Sequence, residues 1–182
     1  MIGALVAGQV GSGGASLSSY ESIATATGTG SSGTITFSSI PSTFKHLQIR
    51  IHQVTASGTN DINMTFNNDS AANYAVHYLY GTGTTASALG ATAVGFIKAA
   101  GVNNTATTTI PDVSIIDILD YASTTKNKTA RVFEGTDQNG SGSVAIVSGL
   151  WLNTSAINRL DFVSASNYAT TTRIALYGIK EA

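Results

Sequence analysis

The clearest pattern in this chain is an alternation with a period of two. Within His46–Val54, Leu47, Ile49 and Ile51 fall on one side, and His46, Gln48, Arg50 and His52 on the other. Successive side chains of a strand point to opposite faces, so this segment predicts a half-buried strand. Ile62–Phe66 repeats the pattern and stops at Asn67-Asn68-Asp69-Ser70, a cluster of turn formers. Tyr20–Thr27 and Gly33–Ser38 flank a glycine-rich stretch, and Ile35 and Phe37 alternate with hydroxyl residues, which predicts a β-hairpin. Tyr74–Tyr80 and Val94–Ala99 predict two more strands. Val113–Leu119 is apolar enough to cross the centre of a sandwich, where Asp117 and Asp120 need polar partners or solvent. Thr129–Phe133 and Ser143–Leu150 flank Glu134–Gly142, whose Asn139-Gly140 pair is a strong hairpin-turn signal. Leu160–Val163 and Arg173–Ile179 end the series. Residues 81–93 are Gly, Thr, Ala and Ser without a period and predict a loop.

About ten short strands with turn signals between them, and no convincing amphipathic helix, predict an all-β fold. The expected architecture is an antiparallel β-sandwich of jelly-roll topology with an extended N-terminal arm. Residues 1–19 read as that arm, an assembly tether, and residues 20–182 as the sandwich domain. Gly11-Ser12-Gly13-Gly14 is a flexible connector. Ile2, Leu5, Val6 and Val10 are the arm's apolar positions. They are the expected assembly-interface residues, anchoring an extended backbone that adds to an exposed sheet edge of a neighbour.

Composition narrows the partners. The 182 residues suffice for one domain with a real core. Only 10% of them are charged, against roughly 25% in an average globular protein. The net charge of −1 supplies no basic field for nucleic acid. So neutral a surface has little defence against association, and an assembled life is expected. With no cysteine, disulfides and thiolate metal sites are excluded. No apolar run reaches the roughly 18 residues of a membrane-spanning helix, and the start lacks the basic leader of a signal peptide. Neither a nucleic acid nor a membrane is therefore an expected partner.

Candidate chemistry is sparse. His46 and His52 share a face, but six residues at about 3.3 Å each place them roughly 20 Å apart, too far to share a metal. Hydrogen-bonded surface roles suit them and His77 better. Asp137-Gln138-Asn139-Gly140-Ser141-Gly142 lacks the later acidic ligand of a calcium-binding EF-hand loop. No Gly-x-Ser-x-Gly elbow and no phosphate-binding loop with its lysine occurs. No catalytic, cofactor or metal residue is assigned, and an enzyme is not expected. Trp151, Tyr78, Tyr80, Tyr121 and Tyr168 are candidates for stacking on sugar rings, with core packing the plainer alternative.

Several segments carry a likeness beyond composition. They are Tyr20-Glu21-Ser22-Ile23-Ala24-Thr25, Thr36–Arg50, Thr65-Phe66-Asn67-Asn68-Asp69 and Asn73–Leu79. Ile116–Ala122, Lys126-Asn127-Lys128-Thr129, Ser148-Gly149-Leu150-Trp151 and Ala175–Lys180 continue it in order. Together these resemble a family of small virion proteins of tailed bacteriophages, especially phages of marine and cyanobacterial hosts. The resemblance implies a structural component of the particle and offers no catalytic motif. The expected function is a capsid decoration, or cement, protein on the outer head surface. It would be a homo-oligomer, with a trimer favoured, bound to the major capsid protein or other virion proteins. The alternative is a host-recognition module on the tail or a head fibre, presenting loops 55–61, 81–93 and 134–142 to a surface glycan.

Overall fold

The computed structural model describes residues 19–56, 61–102 and 109–180. These residues form twelve strands and no helix. In chain order they are β1 (Tyr20–Thr27), β2 (Thr34–Phe37), β3 (His46–Gln53), β4 (Ile62–Phe66), β5 (Tyr74–Gly81) and β6 (Ala86–Val94). Then follow β7 (Ile97–Ala100), β8 (Asp112–Leu119), β9 (Lys128–Asp137), β10 (Gly142–Trp151), β11 (Leu160–Ser164) and β12 (Arg173–Ile179).

The strands build two antiparallel sheets, packed as a β-sandwich. The larger has the order β1-β12-β3-β8-β9-β10-β5-β6, the smaller β2-β11-β4-β7. The core lies between them. The alternation in β3 resolves as read: Leu47, Ile49 and Ile51 are buried, whereas Arg50 and His52 are exposed. Ile62, Met64 and Phe66 of β4 face them from the smaller sheet, as do Ile97, Ala99, Leu160 and Phe162. Asn139 and Gly140 both take positive φ, the backbone that a tight hairpin turn between β9 and β10 requires.

The expected hairpin of Tyr20–Thr27 with Gly33–Ser38 does not form. β1 pairs with β12 in the larger sheet, and β2 pairs with β11 in the smaller one. The glycine-rich stretch between them is a crossing from sheet to sheet. It runs alongside the return crossing from β11 to β12, tied to it by Gly30 N–H to Tyr168 O and Tyr168 N–H to Ser32 O. Glycine is needed because the two backbones nearly touch: a Cβ at Gly28 would lie 2.1 Å from Ala169 O, and one at Gly33 2.5 Å from Ser164 O. Here the glycines mark a close approach of distant backbone, not a local reversal.

The second correction is β6. Residues 86–94 of the expected loop 81–93 and its border form a nine-residue strand, paired along its length with β5. Among the described residues it is an edge strand of the larger sheet, exposed on both faces for most of its length. A strand with no buried face has no reason to alternate, so its composition is indistinguishable from that of a loop.

The turn after β4 joins much of the sequence that carries the family likeness. Asn67 and Asn68 take left-handed φ in the turn that brings the Asp69 carboxylate to the indole N–H of Trp151. That carboxylate accepts from Trp151 Nε1 at 2.8 Å, Asn73 Nδ2 at 2.9 Å and Ala71 N at 3.0 Å. Tyr74 OH donates to Asp69 O and accepts from Phe66 N. Phe66, Tyr74 and Trp151 pack with ring centroids 5.6–6.3 Å apart. Burial works against ionisation of Asp69, but the Asn73, Trp151 and Ala71 donors outweigh it and hold its carboxyl below the ordinary range. Asp69→Ala orphans the buried indole N–H and releases the Asn73 and Ala71 donors to water, and should cost about 1–3 kcal/mol. Denaturant unfolding followed by fluorescence of Trp151, the single tryptophan, measures this directly.

Candidate functional site

Pleating gives the larger sheet one face toward the core and one away from it. On the outward face the register lines up Ile115 of β8, Phe133 of β9, Ile146 of β10 and Leu79 of β5 in one row across four strands. These side chains are 42–57% exposed, so no other element of the described chain covers them. The next row reads Val113, Gly135, Val144, Gly81. Gly135 leaves a hollow between the valines, and Gly81 leaves the row open beyond Val144. With Phe133, Ile110, Pro111 and the β9–β10 turn as walls, it becomes an open, largely apolar cleft of about 890 Å³. Arg50 stands at its rim, directly opposite Ile115, with its guanidinium 5.4 Å from the ring centre of Tyr177. On the other side of the apolar row lies a polar one: Asp117, Arg131, Ser148 and His77. Asp117 accepts from Gln48 Nε2, and Ser148 Oγ accepts from Arg131 Nη1.

The outward face is therefore a banded surface, apolar beside polar. Isolated exposed apolar residues are unremarkable, but a contiguous apolar band of this kind is a candidate contact surface. The signal was present in the sequence. Val113–Leu119, Val132-Phe133 and Val144–Val147 are apolar on both faces, whereas an outer sandwich strand needs only one.

A second feature lies on the inward face of β8 and β9, where the chain leaving β7 crosses them. Asp112 and Glu134 are both almost wholly buried. Glu134 Oε1 accepts from Val102 N at 2.7 Å, and the Gly101 backbone lies against the Asp112 carboxyl. Burial pushes the Asp112 carboxyl up to about 6. Burial, with the nearby Asp112 charge added, pushes Glu134 up to about 8. Sequence reasoning does not reach either residue, because Glu134 opens the expected loop Glu134–Gly142 and the pairing of β8 with β9 is not written locally.

The residues singled out from sequence are dispersed. His46 and His52 sit at the two ends of β3, and His46 Nδ1 accepts from Asp120 N. Asp120 is also paired with Lys126 and Lys45, which hold its carboxyl below the ordinary range. His77 projects from the outer face of β5, which three strands separate from β3. Among the described residues no three His, Asp or Glu side chains converge on one point. The Asp137 carboxylate is used by its own turn, accepting from Asn139 N. Of the aromatic candidates, Trp151, Tyr121 and Tyr168 are core residues; Tyr78 and Tyr80 are half-buried on β5. Ile2, Leu5, Val6 and Val10, and most of the arm, lie outside the described residues, as do positions 57–60 of the loop 55–61.

Comparison of the chain with protein-family models, with curated proteins and with solved structures finds no match.

Proposed function

We propose that this chain is a virion structural protein of a tailed bacteriophage, a capsid decoration subunit on the outer head surface. The observation that carries the reading is the uncovered apolar row of Ile115, Phe133, Ile146 and Leu79 on a protein of very low charge. Such a face is stable in water only at a cost that burial against another subunit relieves. Its partners are further copies of this chain, with a trimer favoured, and the major capsid protein. Modest contacts repeated around an oligomer hold a lattice collectively, which is what a cement protein needs.

Two features support the finer points. The order β1-β12-β3-β8 against β2-β11-β4-β7, with successive strands changing sheet, is that expected of a jelly roll. The hairpins β5–β6 and β9–β10 then widen one sheet. β6 offers nine residues of unpaired, uncharged edge, a suitable acceptor for the extended arm of a neighbour carrying Ile2, Leu5, Val6 and Val10. The host-recognition reading is weaker, since three of its five aromatics are committed to the core.

The test is attachment to purified particles. Phe133→Lys with Ile146→Lys replaces two exposed residues, so the fold should persist while oligomer and particle binding are lost. Removal of residues 1–14 should likewise spare the sandwich and abolish attachment. Hundreds of copies per particle are expected. A dozen or fewer copies, or undiminished attachment of both variants, would overturn the reading.

A further inference from the structure

The buried acidic pair has oxygens left over. Asp112 Oδ1 and Glu134 Oε2 have no hydrogen-bond partner, and neither have the hydroxyls of Ser114 and Thr136. All four residues are at least nine-tenths buried. They are also neighbours. Ser114 is directly opposite Glu134 on the paired strands β8 and β9. Asp112 and Thr136 occupy the next inward-facing positions of those two strands, and the Thr136 hydroxyl faces Asp112 without closing a bond of normal geometry.

Buried polar atoms are nearly always satisfied, so four adjacent orphans of one kind require an explanation. All four are oxygens. Two belong to groups that repel each other once ionised. Lys98, whose charge acts on Glu134, is paired with Asp61 and offsets the effect of burial only in part. A water molecule would satisfy the hydroxyls but supply no positive charge, so the pair would be relieved only by holding a proton. A divalent cation answers both deficits: it supplies the missing charge and takes only oxygen ligands. Carboxylate and hydroxyl oxygens suit calcium, which takes oxygen ligands in flexible geometry. The donor set holds no nitrogen or sulfur to favour zinc.

We propose that Asp112, Ser114, Glu134 and Thr136 form a calcium site between the two sheets. The ion would pin β8 to β9 where the chain leaving β7 crosses over them.

The full-length protein, stripped with chelator at pH 8, provides the test. Added calcium should raise the melting midpoint by several degrees. Terbium in its place should luminesce on tyrosine excitation, because Tyr78 lies close enough to feel the charge of Glu134. Glu134→Gln keeps the shape and removes one charge. It should fold, melt higher than wild type in chelator, and lose both the calcium shift and the terbium signal. A wild-type midpoint indifferent to calcium would overturn the site and leave a carboxyl pair sharing a proton. So would a variant that responds to calcium as wild type does.

Discussion

Ile49→Asp should prevent folding, whereas Ile115→Asp should leave a folded protein. The two residues lie on adjacent strands, and Ile49 is directly opposite Ile116, the neighbour of Ile115. Ile49 is fully buried among Leu47, Ile51, Ile116 and Leu176 in the core between the sheets. Aspartate there forfeits the burial of an apolar side chain and places a carboxyl where no donor can reach it. The cost should exceed about 4 kcal/mol, a large part of the roughly 5–15 kcal/mol that holds a domain together. Ile115 points the other way and is 42% exposed. Aspartate there stays in water beside Arg50 and should change stability by no more than about 0.5–1 kcal/mol. Circular dichroism and a melting curve on each variant read the contrast. A cooperative transition for Ile49→Asp near that of wild type would mean the faces of β3 are assigned backwards. Collapse of Ile115→Asp would mean that the outward row is covered within one chain, and the docking surface would go with it.

This contrast shows where sequence is sufficient and where it is not. The alternation in β3 and the Asn139-Gly140 turn are local, set by pleating and by the φ preference of two residues, and they can be read directly. The partner of a strand is not local. Gly28–Gly33 has the composition of a tight turn, yet its glycines answer to the backbone at Ser164 and Ala169, more than 130 residues away. β6 is hidden for the opposite reason: with neither face buried, nothing constrains its pattern. The outward row required the register of four strands before its members became neighbours. The acidic pair required the same knowledge, because Asp112 and Glu134 are unremarkable until β8 and β9 are paired. Segments far apart in sequence meet in the Asp69–Trp151 node, where Asp69, Asn73, Tyr74 and Trp151 are joined by hydrogen bonds, and that meeting is not written locally either.

Stability in chelator should fall as the pH rises, against the usual behaviour of carboxylates. Asp112 and Glu134 start from ordinary values of 3.8 and 4.5 and are held at about 6 and about 8 in the folded chain. Below about pH 3 both are protonated, folded or unfolded, and they set no pH dependence. Between there and pH 8 the unfolded chain gives up its protons readily while the folded chain retains them. The folded state therefore binds more protons than the unfolded one, and stability must decline across this window. Asp112 ionises first, and Glu134 then resists because its neighbour is already charged. Asp61 raises both further, Lys98 opposes the rise at Glu134, and Tyr78 stays neutral throughout. At about 1.4 kcal/mol for each tenfold change in acidity, the loss is several kcal/mol, or on the order of 10 °C in melting midpoint. Glu134→Gln should flatten most of this decline and Asp112→Asn the remainder. Calcium should flatten it in the wild type alone, since an ion that neutralises the pair removes the reason to hold protons. A midpoint that rises between pH 5 and pH 8 in chelator would show that the two carboxyls are not buried together, and both the titration and the cation site would fall.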